Sequence, residues 1–318
     1  MDEKPKPVDV SVVIPVYNEE GNLKELYAKL TDILPTIAGN YEIIFVDDGS
    51  TDNSFNIFKE INDKDKNVKA IKLRRNFGQT AAIQAGFDHA KGAIVVTMDG
   101  DLQNDPEDIP RLVKRFEDGY DVVSGWRYNR KDPLGKKISS KISNWLANKL
   151  TGLNLHDFGC TLKAYKKEAV NDLTLYGEMH RYIPALISMK GFSICEVKVE
   201  HRQRKYGTTK YTFKRLWKGF FDLMYIKFWL DFSTRPLHFF GFIGFLNLLG
   251  GFVIVLYKVP YQLLYLKRPV EAGPLLMLSV LLVIIGLLFI VFGFLCEIQI
   301  RTYYESIKKR PYEIKKIL

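Results

Sequence analysis

The stretch Ala93-Ile-Val-Val-Thr-Met-Asp99-Gly-Asp101-Leu-Gln103 runs from an apolar segment directly into two carboxylates that are one residue apart. The apolar part predicts a buried strand, and an unpaired negative charge at its end is energetically expensive. Asp99 and Asp101 repel each other unless a cation lies between them. A divalent Mg²⁺ or Mn²⁺ ion that also binds diphosphate oxygens would remove that repulsion. Because Asp-Gly-Asp is also ordinary turn chemistry, a simple turn is the alternative interpretation.

The residues before this stretch alternate between strand and helix patterns. Apolar runs predict four strands, at Val10–Ile14, Tyr41–Val46, Val68–Leu73 and Ala93–Met98. Helices are predicted between them, at Asn22–Leu34, after Asp52 and at Gln79–Ala90. This alternation with short connections predicts an α/β fold with a doubly wound, mostly parallel sheet.

Polar clusters follow three of the predicted strands: Tyr17-Asn-Glu19, Asp47-Asp48 and Asp99-Gly-Asp101. In open α/β sheets, ligands bind at the carboxyl ends of the strands. Acidic side chains that gather at one such edge are typical of a site for a metal and a nucleotide.

Two other nucleotide-binding classes lack their motifs here. The first predicted strand is followed neither by a Walker phosphate loop nor by Gly-x-Gly-x-x-Gly, which disfavours a P-loop NTPase and a dinucleotide oxidoreductase. The triplet Asp157-Phe-Gly159 matches the metal-binding triplet of kinases. No glycine-rich loop or His-Arg-Asp loop accompanies it, so we interpret that match as chance.

Two segments near the C-terminus, from Pro236 to Tyr257 and from Gly273 to Cys296, contain no Asp, Glu, Lys or Arg. Each is longer than the roughly 20 apolar residues that cross a hydrocarbon core of about 30 Å. The alternative is a pair of buried core helices, which seldom stay uncharged for so long. The sequence therefore predicts two transmembrane helices.

Positive charge flanks these two segments, whereas the connection between them, residues 258–272, carries little. By the positive-inside rule, the soluble domain and both termini face the cytoplasm of a multi-pass protein in the cell's inner or plasma membrane. The formal charge of +10 therefore indicates anionic lipid headgroups as a partner and no nucleic acid. Small residues in both segments favour a homo-oligomer.

The predicted organisation has four parts. Residues 1–210 form the soluble domain, 211–235 amphipathic interfacial helices rich in basic and aromatic residues, 236–297 the two transmembrane helices and 298–318 a basic cytoplasmic tail. A core helix of the soluble domain is the alternative for the amphipathic segment.

Five motifs occur in an order that resembles a known family. They are Val13-Ile-Pro-Val-Tyr-Asn-Glu19, Val46-Asp-Asp-Gly-Ser-Thr-Asp52, Arg75-Asn-Phe-Gly78, Met98-Asp-Gly-Asp-Leu-Gln103 and Ser124-Gly-Trp-Arg127. Over residues 8–215 the chain resembles the family 2 inverting glycosyltransferases of the GT-A fold, a Rossmann-like α/β architecture. Within that family it is most similar to the polyprenyl-phosphate branch, which includes the dolichyl-phosphate mannose synthases and the bactoprenol glucosyltransferases.

The resemblance implies a role for each matching position. It implies donor-sugar-nucleotide contacts at Pro15, Tyr17, Glu19, Val46, Asp48, Asp99, Gly100, Arg127, Arg204 and Lys210. It implies a divalent Mg²⁺ or Mn²⁺ cofactor at Asp99, Asp101 and Gln103, and an acceptor-phosphate site at Lys136, Lys137 and Ser140. Asp157 matches the position of the catalytic base, and the resemblance also implies that Asp101 acts with the metal in catalysis. One arginine common among relatives is a lysine here, which lacks the bidentate geometry of a guanidinium.

The implied activity is transfer of glucose from UDP-glucose to undecaprenyl phosphate. A phosphate monoester has a second pKa near 6, so it is mostly dianionic at neutral pH and needs little help as a nucleophile. We therefore interpret Asp157 as a residue that orients basic side chains or the acceptor more than it abstracts a proton. His156, its neighbour, receives no role.

Other readings of the function remain open. The donor could be GDP-mannose, UDP-N-acetylglucosamine or UDP-amino-arabinose. A processive synthase is disfavoured because Gln203-Arg-Lys-Tyr206 does not match the Gln-x-x-Arg-Trp motif of that class. The last alternative is a membrane scaffold without activity, which the intact Asp99, Asp101 and Asp157 disfavour.

Overall fold

The structure is a computed structural model that describes residues 8–129, 134–202, 224, 227–228 and 236–306, with no side chains described at 134–139, 301 and 303–306. The chain forms two compact units, Met1–Ile226 and Lys227–Leu318. The expected boundaries at residues 210 and 235, most of the expected amphipathic helices and residues 307–318 of the tail lie outside the described residues.

One seven-stranded sheet organises the first unit. Its strands are β1 Val10–Val16, β2 Tyr41–Asp47, β3 Val68–Lys72, β4 Ile94–Thr97, β5 Val122–Arg127, β6 Lys163–Lys166 and β7 Ile194–Val199. Their order is β3-β2-β1-β4-β6-β5-β7. All pairings are parallel except those of β6, which runs antiparallel to β4 and to β5.

Helices connect the strands. Within the described residues of this unit, the α-helices are α1 Leu23–Ile33, α2 Ser54–Lys64, α3 Gln79–His89, α4 Ile109–Lys114, α5 Leu134–Thr151, α6 Lys167–Val170 and α7 Ile183–Ser188. Short 3₁₀ helices occur at Leu34–Thr36, Pro106–Asp108 and Met179–Tyr182. The sequence predicted the first four strands, α1 and α3 to within two residues at each end.

Both faces of the sheet are covered, which explains why β1 is a continuous apolar run. Every residue of β1 is buried. Val12 and Ile14 pack in one core cluster with α1 and α2, whereas Val13 packs in a second cluster with α3. Because successive side chains of a strand point to opposite faces, a strand between two helix layers has no position for a solvated residue.

The antiparallel strand β6 is what brings a further loop to the ligand-binding edge. Since β6 runs against its neighbours, the loop that precedes it, residues 152–162, meets the same edge of the sheet where β1, β2, β4, β5 and β7 end. The expectation of a mostly parallel sheet is confirmed.

The opposite edge of the sheet carries a buried carboxylate network around Glu42. Its side chain accepts hydrogen bonds from Ser11 Oγ at 2.6 Å, from the Lys91 amide at 2.6 Å and from Lys69 Nζ. Burial alone raises the pKa of Glu42, but these donors outweigh it and hold that pKa below its ordinary value of 4.5. This network ties β1, β2 and β3 together.

The second unit contains two long apolar helices, α8 Pro236–Pro260, continued by a π-helical turn at Tyr261–Tyr265, and α9 Pro274–Ser306. Apolar segments of 30 and 27 residues, Pro236–Tyr265 and Pro274–Ile300, are long enough to cross a membrane. Only 11% of the residues in the most apolar part of each segment are buried, whereas a soluble core helix is mostly buried.

Glycine allows close contact between α8 and α9. A Cβ on Gly244 would lie 2.6 Å from the Gly286 carbonyl oxygen, and a Cβ on Gly286 would lie 2.8 Å from that of Gly244. The two backbones therefore touch where neither residue has a side chain. Gly251 makes a similar contact with the carbonyl of Ser279.

Candidate active site

The loops that follow β1 and β2 are joined by hydrogen bonds. The Asn18 amide donates to Ser50 Oγ at 3.0 Å, and Asn18 Oδ1 accepts from the Thr51 amide at 2.8 Å. The Glu19 amide donates to Ser54 Oγ at 3.2 Å. Two of the expected donor-binding residues, Tyr17 and Glu19, are half-buried on these fixed loops.

Asp48, another expected donor-binding residue, holds a third loop in place. Its two carboxylate oxygens accept hydrogen bonds from the amides of Phe77, at 2.7 Å, and Gly78, at 2.9 Å. Burial raises the pKa of Asp48, and these two amide donors oppose that rise. Gly49 has φ +73°, and a Cβ there would lie 2.7 Å from the Asn76 nitrogen, so the two loops pack backbone against backbone.

Two expected donor contacts are internal. Val46 has no exposed surface and packs in the core beneath α3, and Pro15 is also buried. The side chain of Val46 therefore belongs to the core and is not accessible to a ligand in this structure.

The loop after β4 carries the acidic pair. Asp99 is half-buried and accepts a hydrogen bond from Gln79 Nε2 at 2.7 Å, while Asp101 is 9% exposed and accepts one from the Gln103 amide at 3.1 Å. Leu102 has φ +59°, which gives the turn its shape. Gly100 is buried between the two acids.

The donor set of this loop fits a hard divalent cation, because Asp99, Asp101 and Gln103 offer only oxygen ligands for it. Among the described residues, no three His, Cys, Asp or Glu side chains form a complete metal cage. A cation held here would therefore need further oxygen ligands from water or from a bound diphosphate.

A short bridge fixes the end of this loop. The Arg202 amide donates to the Gln103 carbonyl at 2.9 Å, and Asn104 forms an antiparallel bridge with His201. Arg202 also forms an ion pair with Asp105. The chain thus leaves β7 beside the acidic loop, two residues before Arg204. Arg204 and Lys210 themselves lie outside the described residues.

Arg127, at the end of β5, forms a buried two-pronged ion pair with Asp157. Its Nε donates to Asp157 Oδ2 at 2.6 Å and its terminal Nη2 to Asp157 Oδ1 at 2.9 Å. The side chains are 15% and 3% exposed. Burial lowers the pKa of Arg127, but the charges of Asp157 and Asp99 more than compensate and raise it. Arg127 therefore stays charged, and Asp157 orients it beside the acidic loop.

Lys163, the first residue of β6, is a buried cation that the sequence analysis missed. Its Nζ donates to the carbonyls of Phe158, at 3.1 Å, and Cys160. Burial lowers the pKa of Lys163, and burial raises the pKa of the neighbouring Cys160 thiol to about 11. These contacts fix the loop that carries Asp157. Nothing in a four-residue strand with a lysine at each end indicates such burial.

A cleft of about 310 Å³ opens next to the ion pair. It is lined by Arg127, Tyr128, Asn129, Ser140, Lys141, Asn144 and His156. Two expected residues, Arg127 of the donor set and Ser140 of the acceptor set, therefore share one cleft. The side chains of the other two expected acceptor residues, Lys136 and Lys137, are outside those that the structure describes.

Several residues of this region escaped the sequence analysis. Asn144 on α5 fixes the Asp157 loop by donating to the His156 carbonyl at 2.7 Å and accepting from the Phe158 amide at 3.3 Å. Glu196 on β7 accepts from the amides of His156 and Asp157. Sequence separations of 12 to 40 residues hide these contacts.

Comparisons with known proteins agree with this geometry. The family model for Glycosyl transferase family 2 matches residues 11–174. Dodecaprenyl-phosphate galacturonate synthase of Rhizobium johnstonii is 38% identical over 315 residues, which cover 98% of this chain and 93% of that protein.

Solved structures share the fold of the first unit. Glucosyl-3-phosphoglycerate synthase from Mycobacterium tuberculosis, in complex with Mn²⁺, UDP and glucosyl-3-phosphoglycerate, matches with a TM-score of 0.52 and 20% identity over 70% of this chain and 80% of that chain. Its complex with Mn²⁺ and UDP-glucose matches with a TM-score of 0.52 and 18% identity, over 70% and 79%. At this identity, the likeness concerns the fold alone.

Proposed function

Because the chain belongs to glycosyl transferase family 2 and has a GT-A-like sheet, we propose that it transfers a hexose from a nucleotide sugar to a polyprenyl phosphate at a membrane. One observation carries the proposal. Similarity to a polyprenyl-phosphate sugar synthase extends over 98% of the chain and so includes both the sheet domain and the two membrane-length helices.

Donor binding falls to the edge formed by β2, β1 and β4. Tyr17, Glu19 and Asp48 would contact the nucleoside, and Gly100 would present its backbone to the diphosphate, since a Cβ there would point into the core and meet Val16 Cγ2 at 3.0 Å. Asp99, Asp101 and Gln103 would hold Mg²⁺ or Mn²⁺. When bound, such an ion neutralises the negative charge that develops on a departing diphosphate.

Arg127 would contribute positive charge at the same place. Its guanidinium lies close enough to Asp99 for the two charges to act on each other, and Asp157 prevents it from turning away. A preoriented cation stabilises developing charge without having to reorganise during the reaction. Arg204 and Lys210 would add charge from the segment that follows Arg202.

The reaction is a displacement at the anomeric carbon. An oxygen of the acceptor phosphate attacks that carbon from the face opposite the diphosphate. The new carbon–oxygen bond forms as the bond to the diphosphate breaks, and its electron pair leaves on the nucleoside diphosphate, which inverts the anomeric centre. A dianionic phosphate carries no proton that must be removed, so we assign Asp157 as a positioning residue.

Two donor sugars lead the candidates. UDP-glucose is the donor that the resemblance to the bactoprenol glucosyltransferases implies. A donor of galacturonic acid is supported by the 38% identical relative, whose name specifies galacturonate.

The membrane arrangement follows from charge and length. We infer that α8 and α9 cross the membrane, that the sheet domain and both termini are cytoplasmic, and that residues 258–272 reach the other side. Small residues on both helices favour self-association. Modification of single cysteines introduced at 258–272, by a reagent that does not cross membranes, would test this topology.

The activity is tested with purified full-length protein in detergent, Mn²⁺, undecaprenyl phosphate and a panel of radiolabelled nucleotide sugars. We expect label in the organic phase from one donor, and at least a hundredfold loss in Asp99→Ala and Asp101→Ala. Asp63→Ala, which changes an exposed acid on α2, is the matched control and keeps full activity. Absence of transfer from every donor, or undiminished transfer in both site variants, would refute the proposal.

A further inference from the structure

The imidazole of His156 is held in one orientation at the cleft. Its ring stacks on Trp126, with centroids 3.9 Å apart and planes 15° apart. Its Nδ1 lies 2.8 Å from Glu196 Oε2, and its backbone amide donates to the same carboxylate at 2.8 Å. Three contacts therefore restrain this surface histidine.

Glu196 also determines which ring nitrogen carries the hydrogen. A carboxylate accepts, so Nδ1 carries a hydrogen, and Nε2 lies on the far side of the ring. Within the described part of the chain, no hydrogen bond to Nε2 occurs. His156 lines the cleft together with Arg127, Ser140 and Lys141.

The charges around the ring suit a bound anion. Because Nδ1 donates to Glu196, a further hydrogen on the ring can only lie on Nε2. Lys198 on β7 lies over the rings of Trp126 and Tyr128, 5.3 and 4.4 Å from their centroids, while Arg127 on β5 and Lys141 on α5 are the other cations of the cleft. Of these cations, Arg127 is already paired with Asp157.

We propose that His156, oriented by Glu196 and Trp126, binds the phosphate monoester of the acceptor through Nε2. This inference rests on the proposed function and adds a residue to it. The imidazole and the phosphate hold one proton between them. With that proton on Nε2, the phosphate is a dianion, the form that attacks the anomeric carbon. The transfer consumes no proton, because the phosphodiester product and the nucleoside diphosphate carry the four negative charges of the reactants.

A purely structural role predicts something different. Glu196 accepts from the Asp157 amide as well, so loss of the imidazole would disturb the Asp157 loop and, through it, Arg127. Donor and acceptor binding would then weaken together. The proposed role weakens acceptor binding alone.

The experiment compares full-length His156→Gln and Glu196→Gln with His89→Gln, an exposed histidine on α3 whose Nδ1 bonds the Ala85 carbonyl. Geranyl phosphate, a short prenyl phosphate, is titrated by ³¹P NMR, and UDP binding is measured by calorimetry. We expect His156→Gln to weaken geranyl phosphate binding at least tenfold with unchanged UDP affinity, and Glu196→Gln to have a smaller effect in the same direction. In the wild type and in His89→Gln, the bound phosphate should remain dianionic at a pH where the free phosphate is protonated.

The outcomes separate the two proposals. Equal geranyl phosphate affinity in His156→Gln and His89→Gln would overturn the role of His156. A parallel loss of UDP affinity in His156→Gln would overturn it as well. In both cases, sugar transfer by the wild type would still support the proposed function. Absence of transfer from all donors would overturn the proposed function itself. If His156→Gln does not fold, Glu196→Gln provides the same comparison, and unchanged geranyl phosphate affinity there would overturn the inference.

Discussion

Removing one partner of the Arg127–Asp157 pair should destabilise the sheet domain far more than removing both. In Asp157→Leu, a guanidinium that is 15% exposed loses two hydrogen bonds of 2.6 and 2.9 Å. In Arg127→Met, a carboxylate that is 3% exposed loses its counter-ion. An uncompensated buried charge costs about 3–5 kcal/mol, whereas replacement of a whole buried pair by apolar residues is often neutral or stabilising.

These energies translate into temperatures. For a domain of about 200 residues, 1 kcal/mol shifts the midpoint of thermal unfolding by roughly 2–4 °C. Each single variant should therefore unfold about 6–20 °C below the wild type. The Arg127→Met/Asp157→Leu double variant should unfold within a few degrees of the wild type, yet transfer no sugar.

The assay is thermal unfolding of the full-length protein in detergent, followed by near-ultraviolet circular dichroism, which reports packed aromatic rings. The matched control is the exposed pair Arg115–Asp118, at 2.7 Å with side chains 44% and 50% exposed. Its loss should cost less than about 1 kcal/mol, because exposed ion pairs contribute little. If the losses in the two single variants simply add in the double variant, or if each is as small as in the control, the pair does not have the role that we assign to it.

Three further changes test other parts of the molecule. Glu42→Gln should lower the unfolding midpoint at neutral pH. Because the folded pKa of Glu42 lies below its unfolded value, the stabilisation by the Glu42 carboxylate is present above about pH 4.5 and is lost as the pH falls through the folded pKa. A difference in midpoint between variant and wild type that persists in acid would contradict this role of Glu42. Gly286→Leu should lower the midpoint in detergent by several degrees, because its Cβ would overlap the Gly244 carbonyl. Gly250→Leu is the control and should not lower it, since a Cβ at that position would meet only Leu282 Cδ1 at 3.7 Å. Equal effects of the two substitutions would exclude close packing of α8 and α9 at Gly286. Asp48→Ala should weaken UDP binding about tenfold in calorimetry, since the two hydrogen bonds that Asp48 accepts from backbone amides are worth roughly 1–3 kcal/mol. Unchanged UDP affinity would show that the loop at 75–78 holds its shape without Asp48.

The sequence predicted the donor half of the fold well because its signals are local. The strands β1, β2 and β4 are short, largely apolar runs, and the polar residues of the candidate donor site follow them directly. A strand that is buried on both faces, such as β1, has no position for a solvated residue. The two membrane-length helices were as easy to recognise, because an uncharged apolar segment of this length is typical of a membrane-spanning helix.

The other half depends on contacts that sequence cannot reveal. β6 has four residues and a lysine at each end, which is typical of an exposed turn, yet Lys163 is buried. The resemblance to a family singled out Arg127 and Asp157 separately, 30 residues apart, and did not indicate that they bind each other. Glu196 is 40 residues from the histidine that it orients. Arg204, Lys210 and the amphipathic segment stay predictions.

The reversed direction of β6 also bears on how such proteins can diversify. Apart from Arg127, the residues proposed for the nucleotide sugar follow β1, β2 and β4 on one side of β6, while His156 and Glu196, proposed for the acceptor, belong to the loop before β6 and to β7. The two core clusters continue across β6, one on each face of the sheet, so the strands of both sides share their packing. The loops of the two sides are separate in sequence, so a lineage could exchange its sugar while keeping its lipid, or the reverse, by changes in the loops of one side.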